Sequence, residues 1–131
     1  MSDTFSDRLQ SVQQAIADAA ARSGRKPEEV TLVAVSKAHP PEAIQEALEA
    51  GQCLFGENRV QEARAKAPLL PSRARWHLIG HLQSNKIRHA LPLFERLQSI
   101  DSLALATEVN RLAGEMGLFP KVFLEVNLAG E

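Results

Sequence analysis

Tyrosine is absent from this sequence, cysteine occurs once, and neither sign of charge is in clear excess: 15 Lys and Arg stand against 16 Asp and Glu. Each shortage excludes something. With the two signs mixed along the chain there is no basic stripe for nucleic acid or for an anionic membrane surface. A lone Cys53 cannot form an internal disulfide, and nothing near it in sequence would activate its thiol, so it reads as packing. No apolar run approaches the ~18 residues of a membrane span, and no charged-then-apolar leader opens the chain. The expectation is a cytoplasmic protein that uses neither membrane nor nucleic acid. What is present is a 44% hydrophobic chain of 131 residues, the size of one ordinary domain with a real core.

The sequence is organised around Thr31-Leu32-Val33-Ala34-Val35-Ser36-Lys37. Leu32 to Val35 are all apolar, as in a parallel strand covered on both faces. Lys37 closes that strand. Open α/β sheets and βα-barrels place ligands at the carboxyl edge of their strands, and partial desolvation there lowers an amine's pKa and frees it to attack a carbonyl. The alternative is that Lys37 is only the first solvated residue after the strand.

Around this stretch, strands and helices alternate. Phe5, Leu9, Val12, Ile16 and Ala19 draw one apolar stripe on an opening helix, with Ser2 or Asp3 to cap it and an end near Ser23-Gly24. After Lys37, Pro40 and Pro41 suit a helix's first turn, Ile44, Ala47 and Leu48 form its buried face, and Gly51 its left-handed end. Cys53-Leu54-Phe55 reads as a second strand, followed by a helix with Val60 and Ala63 on one face that stops before Pro68. Arg75 to Gly80 reads as a third, with a helix carrying Ile87, Ala90 and Leu91. Leu97 to Ile100 reads as a fourth, after which Asp101 or Ser102 caps a helix with Leu105, Val109, Leu112 and Met116 inward. Lys121 to Leu128 is the fifth.

A period of roughly 20 to 25 residues per unit is what consecutive right-handed βαβ units give. Two α/β architectures remain open: a five-stranded open sheet, or the first part of a (β/α)₈ TIM-type barrel with parallel strands. An incomplete barrel exposes the edge of its fifth strand and much of its interior, which favours pairing with another chain.

Four blocks at the strand ends carry a resemblance: Val33-Ala34-Val35-Ser36-Lys37; Phe55-Gly56-Glu57-Asn58-Arg59-Val60-Gln61-Glu62; Trp76 through Gly80-His81-Leu82-Gln83-Ser84-Asn85-Lys86; and Val126-Asn127-Leu128-Ala129-Gly130-Glu131. In order and spacing they resemble the YggS/PROSC family of pyridoxal-phosphate homeostasis proteins, whose fold is similar to the barrel domain of alanine racemase. The resemblance runs over essentially the whole chain but covers only the family's first half. It implies a single pyridoxal-phosphate-binding domain over residues 1–131, with about five βα units of a barrel plus an N-terminal helix, truncated before the loops that hold the cofactor phosphate.

Residue by residue, the resemblance implies that Lys37 holds pyridoxal 5′-phosphate as a Schiff base, a step that needs an amine at a strand end facing the cofactor's aldehyde. Val35, on the same side by strand alternation, packs under the ring. Asn58 is a polar contact to the cofactor, or else a turn residue or helix N-cap. His77 lines the pocket, or else is a hydrogen-bonded core histidine. His77 and His81 do not make a metal pair, since their spacing suits a helix rather than a strand end. Glu57 is an acid–base candidate, or a partner for Arg59 or Lys86. Lys86, Arg88 and His89 form a solvated basic face, or an accessory phosphate or vitamer site.

The implied function is vitamin B6 homeostasis, as carrier or buffer of the cofactor rather than catalyst. Its partners are pyridoxal phosphate, other B6 vitamers and apo forms of enzymes that use the cofactor. One rival is a racemase-like enzyme, against which the missing tyrosine counts, because such chemistry needs a second acid–base group opposite the lysine. The other is a cofactor-free fragment that assembles with another chain.

Overall fold

The computed structural model describes residues 3–130. Five parallel strands form one sheet in the order β1-β2-β3-β4-β5: β1 Ala34–Val35, β2 Leu54–Glu57, β3 Arg75–Leu78, β4 Arg96–Ile100 and β5 Lys121–Leu124. The helices are α1 Phe5–Arg22, α2 Pro41–Glu49, α3 Val60–Lys66, α4 Ile87–Ala90 and α5 Leu103–Met116. Every strand pairs with its sequence neighbour. Sequential parallel order with right-handed crossovers puts all connecting helices on one face, which is the wall of a βα-barrel and not a doubly wound sheet.

The outward strand residues and the helices make the core. Phe55, Trp76, Leu78, Leu97 and Ile100 pack with Ile44, Ala47 and Leu48 of α2, Val60 and Ala63 of α3, Ile87 and Ala90 of α4, and Leu105, Val109 and Leu112 of α5. Phe55 and Trp76, register partners on β2 and β3, hold their ring centroids 5.7 Å apart.

Local chemistry accounts for most element ends. Thr4 caps α1 through a reciprocal capping box with Asp7, which corrects the expectation of Asp3; Ser2 lies outside the described residues. Only the side of α1 near Leu9 and Ala20 is buried, and Val12 is exposed, so the apolar stripe is only partly used. The Ser102 hydroxyl accepts from the Leu105 amide at the start of α5, and Gly117 ends that helix in the left-handed conformation. Ala113, rather than Met116, completes the buried face of α5.

Two strands depart from expectation. β1 is shorter than Thr31–Lys37 and not covered on both faces: it is an edge strand, and Val35 is 51% exposed. β5 stops at Leu124 and all four of its residues are exposed, including Phe123 and Leu124. Both are edges of the sheet, and no layer of described residues covers the inner face beside them. Among the described residues no helix is long and apolar enough to cross a membrane.

Candidate functional site

Lys37 sits in a tight turn at the carboxyl end of β1. The His39 amide donates to the Ser36 carbonyl at 3.0 Å, so Lys37 and Ala38 are the two central residues, and Ala38 has φ 64°. A turn with positive φ at its third residue normally takes Gly or Asn, since a Cβ there crowds the backbone. Ala38 is held in this conformation by its neighbours. Its amide donates to Glu62 Oε2 at 2.6 Å, and the Ser36 carbonyl also accepts from Lys66 Nζ at 2.9 Å. The Lys37 side chain is exposed, so the partial desolvation expected from its position is not present.

Behind the turn lies a buried charged cluster. Glu57, fully buried at the end of β2, accepts from the Ser36 hydroxyl and from Lys66 Nζ at 3.1 and 3.2 Å. Lys66 bonds Glu62 as well, at 2.6 Å and one turn away on α3. The Lys66 ammonium, followed by burial acting in the opposite sense and by the Ala38 amide, leaves the Glu62 carboxyl below its ordinary range. Glu57 is thus spoken for by Ser36 and Lys66; neither Arg59 nor Lys86 is its partner.

One residue layer below Lys37, register pairing aligns Val35, Gly56, His77, Arg96 and Lys121 across the sheet. Val35 is therefore on the inner face at the lysine's strand end. Gly56 brings no side chain to this layer, and Val33 and Ile79 fill its place: a Cβ there would meet Val33 Cγ1 at 3.0 Å and Ile79 Cδ1 at 3.1 Å. His77 is buried, with Nδ1 3.0 Å from Gln98 Nε2. A donating Gln98 amide leaves Nδ1 as acceptor and places the proton on Nε2, 4.0 Å from Glu95. Burial, outweighing the attraction of Glu95, pushes the His77 pKa down, which favours this neutral form. Glu95 is itself gripped by Arg75 through two bonds of 2.7 and 2.8 Å.

Asn58 follows β2 at a bend and is half-buried. It is not the N-cap of α3, a position occupied by Arg59. Its backbone presses on Gly80, where a Cβ would stand 2.6 Å from the Asn58 carbonyl oxygen. The two strand ends enclose an open groove that is lined by Asn58, Arg59, Gly80, His81, Gln83 and Lys86. The sequence-predicted basic group divides: Lys86 reaches this groove, Arg88 pairs with Glu115 at 2.9 Å, and His89 is exposed. His81 lies 3.9 Å from Asp101. Among the described residues no group of three or more His, Cys, Asp or Glu is placed to hold a metal ion. Cys53 is half-buried against the core.

The sequence nominated Lys37, Val35, Asn58 and His77; the structure sets Val35 on the strand that leads into the Lys37 turn, Asn58 just after β2 and His77 on β3. Sequence reasoning missed Ser36, Glu62 and Lys66. The available signal was the spacing of Lys66 from Val60 and Ala63, steps of three that put it on the buried face of α3.

The pyridoxal phosphate homeostasis protein of Escherichia coli is 48% identical over 106 residues, 78% of this chain and 45% of the relative. That of Pseudomonas aeruginosa is 41% identical over 130 residues, 98% of this chain and 56% of the relative. The chain is a homologue of the pyridoxal phosphate homeostasis proteins. It spans about half the length of the curated relatives it matches, and fits an N-terminal half. PipY of Synechococcus elongatus, solved with pyridoxal phosphate bound, is 52% identical with a TM-score of 0.76, covering 88% of this chain and 56% of that one. A protein of unknown function from Bifidobacterium adolescentis is 38% identical with a TM-score of 0.88, covering 96% and 56%. No family model matches the chain. The neighbours and the sequential strand order agree on part of a TIM-barrel-like fold, as expected from the sequence.

Proposed function

We propose that this chain binds pyridoxal 5′-phosphate through Lys37, as the N-terminal part of a carrier or buffer acting in cytoplasmic vitamin B6 homeostasis. The observation that carries the reading is an exposed lysine in a pinned turn at a strand's carboxyl end, in a chain 52% identical to a structure that holds this cofactor. When bound, the cofactor would supply an aldehyde with which a lysine amine condenses to a Schiff base, the carbonyl oxygen leaving as water. The residues present fit its aldehyde and ring: Lys37 offers an exposed amine and Val35 an exposed apolar surface on the strand that leads to it. Asn58 offers an amide at the adjoining strand end. His77, neutral and held by Gln98, lines the layer below and acts as a shaping residue rather than as a proton donor.

In this reading residues 1–131 form one barrel domain, incomplete by itself, and the dianionic phosphate is held by the part of the relatives' length that this chain does not span. Other B6 vitamers and apo forms of cofactor-dependent enzymes are its further partners, and the open inner face is where self-association would occur. The test is borohydride reduction after incubation with pyridoxal phosphate, followed by peptide mapping. Modification confined to the Lys37 peptide supports the proposal. Modification spread over surface lysines, or none in a folded protein, refutes it.

A further inference from the structure

We propose that Glu62 and Lys66 are positioning residues for Lys37, clamping the turn that presents its amine; this rests on the binding role given to Lys37 above. The turn has two backbone groups on either side of the lysine that its own hydrogen bond does not fully employ. The Ala38 amide is one, and it goes to the Glu62 carboxylate at 2.6 Å. The Ser36 carbonyl is the other: beyond the His39 amide it accepts from the Lys66 ammonium at 2.9 Å. These two side chains are joined to each other at 2.6 Å across one turn of α3. Glu57 anchors the far side, accepting from both Lys66 and the Ser36 hydroxyl while fully buried.

The arrangement is specific to the turn. A surface ion pair four residues apart on a helix needs no backbone partner and gains little from one. Here both members reach across to a different strand and bond the residues immediately before and after Lys37. They hold Ala38 at φ 64°, a conformation an alanine does not adopt unaided. Lys37 itself makes no bond in this network and stays exposed, so the clamp fixes where the amine starts from without occupying it. Lysine chemistry on a carbonyl depends on that placement, because misplacement of a reacting group costs rate steeply.

Glu62 is partly exposed, so its substitution leaves the core intact, and the full 131-residue chain is compared as wild type, Glu62→Ala and Glu62→Gln. Glutamine keeps an acceptor for the Ala38 amide but loses the charge; alanine loses both. Two readouts are taken: amide hydrogen exchange at Ala38 and His39, and the rate at which pyridoxal phosphate becomes trapped at Lys37 by borohydride. The clamp predicts that Glu62→Ala lowers protection and trapping by about tenfold or more, the loss of one charge-assisted hydrogen bond, and that Glu62→Gln, which keeps a neutral acceptor, recovers part of both. If alanine matches wild type in either readout, the proposal is wrong. If glutamine behaves like alanine, Glu62 acts through its charge and not by positioning, which also overturns it. Absence of trapping at Lys37 in the wild type would instead sink the binding reading, and amide exchange would still decide whether the clamp exists.

Discussion

Replacing Lys66 by methionine tests the buried cluster behind the lysine turn. Methionine fills the aliphatic space but leaves Glu57, which has no exposed surface, with the Ser36 hydroxyl as its remaining side-chain partner. Breaking a buried ion pair by removing one member costs about 3 to 5 kcal/mol, because the other charge stays desolvated. Against a total stability of about 5 to 15 kcal/mol for a domain, that is a large share. Removing the second charge as well should return much of it, so Lys66→Met/Glu57→Gln is expected to be about 2 kcal/mol more stable than Lys66→Met alone. Urea denaturation followed by tryptophan fluorescence suits the measurement, since Trp76 is the single tryptophan, is buried, and packs on Phe55. A Lys66→Met variant within about 1 kcal/mol of wild type, or a double variant no better than the single, would refute the reasoning that this is a desolvated pair.

Gly80→Ala should destabilise by about 1 to 3 kcal/mol, because its Cβ meets Asn58 backbone at 2.6 to 3.1 Å, whereas Gly56→Ala meets only side chains at 3.0 to 3.2 Å and should cost less; equal losses in denaturation would contradict the close approach of the two strand ends. For His77, the lowered pKa means that the unfolded chain binds the proton first, so stability present above pH 6.5 is lost as pH falls from 6.5 toward the folded value. His77→Asn, which keeps an acceptor for Gln98, should flatten that slope; an unchanged slope would remove His77 as its source. Ser102→Ala removes the cap of α5 and should cost about 1 kcal/mol, and thermal denaturation showing no shift would deny the cap its role.

Much of this architecture was legible because it rests on local rules. The alternation of short apolar strands with amphipathic helices, the Ile44, Ala47 and Leu48 face of α2, the Ser102 cap and the lysine at the end of β1 all follow from periodicity and end chemistry. What escaped depends on contacts across the fold. Glu62 and Lys66 have the spacing of an ordinary surface pair, and only the approach of α3 to the end of β1 turns them into a clamp. The apolar run from Leu32 to Val35 suggested a strand covered twice over, yet burial depends on what faces it, and at the edge of this sheet Val35 stays open. His77 could not be assigned from its neighbours in sequence, since the Gln98 contact that fixes its tautomer comes from β4.

The most direct test of the central claim is the absorption spectrum of the 131-residue protein after incubation with pyridoxal phosphate and desalting, beside Lys37→Ala. The account predicts a retained band near ~420 nm, as expected of the cofactor joined to a lysine amine, that disappears in the variant. A band of equal strength in both proteins, or none in a folded wild type, would contradict it.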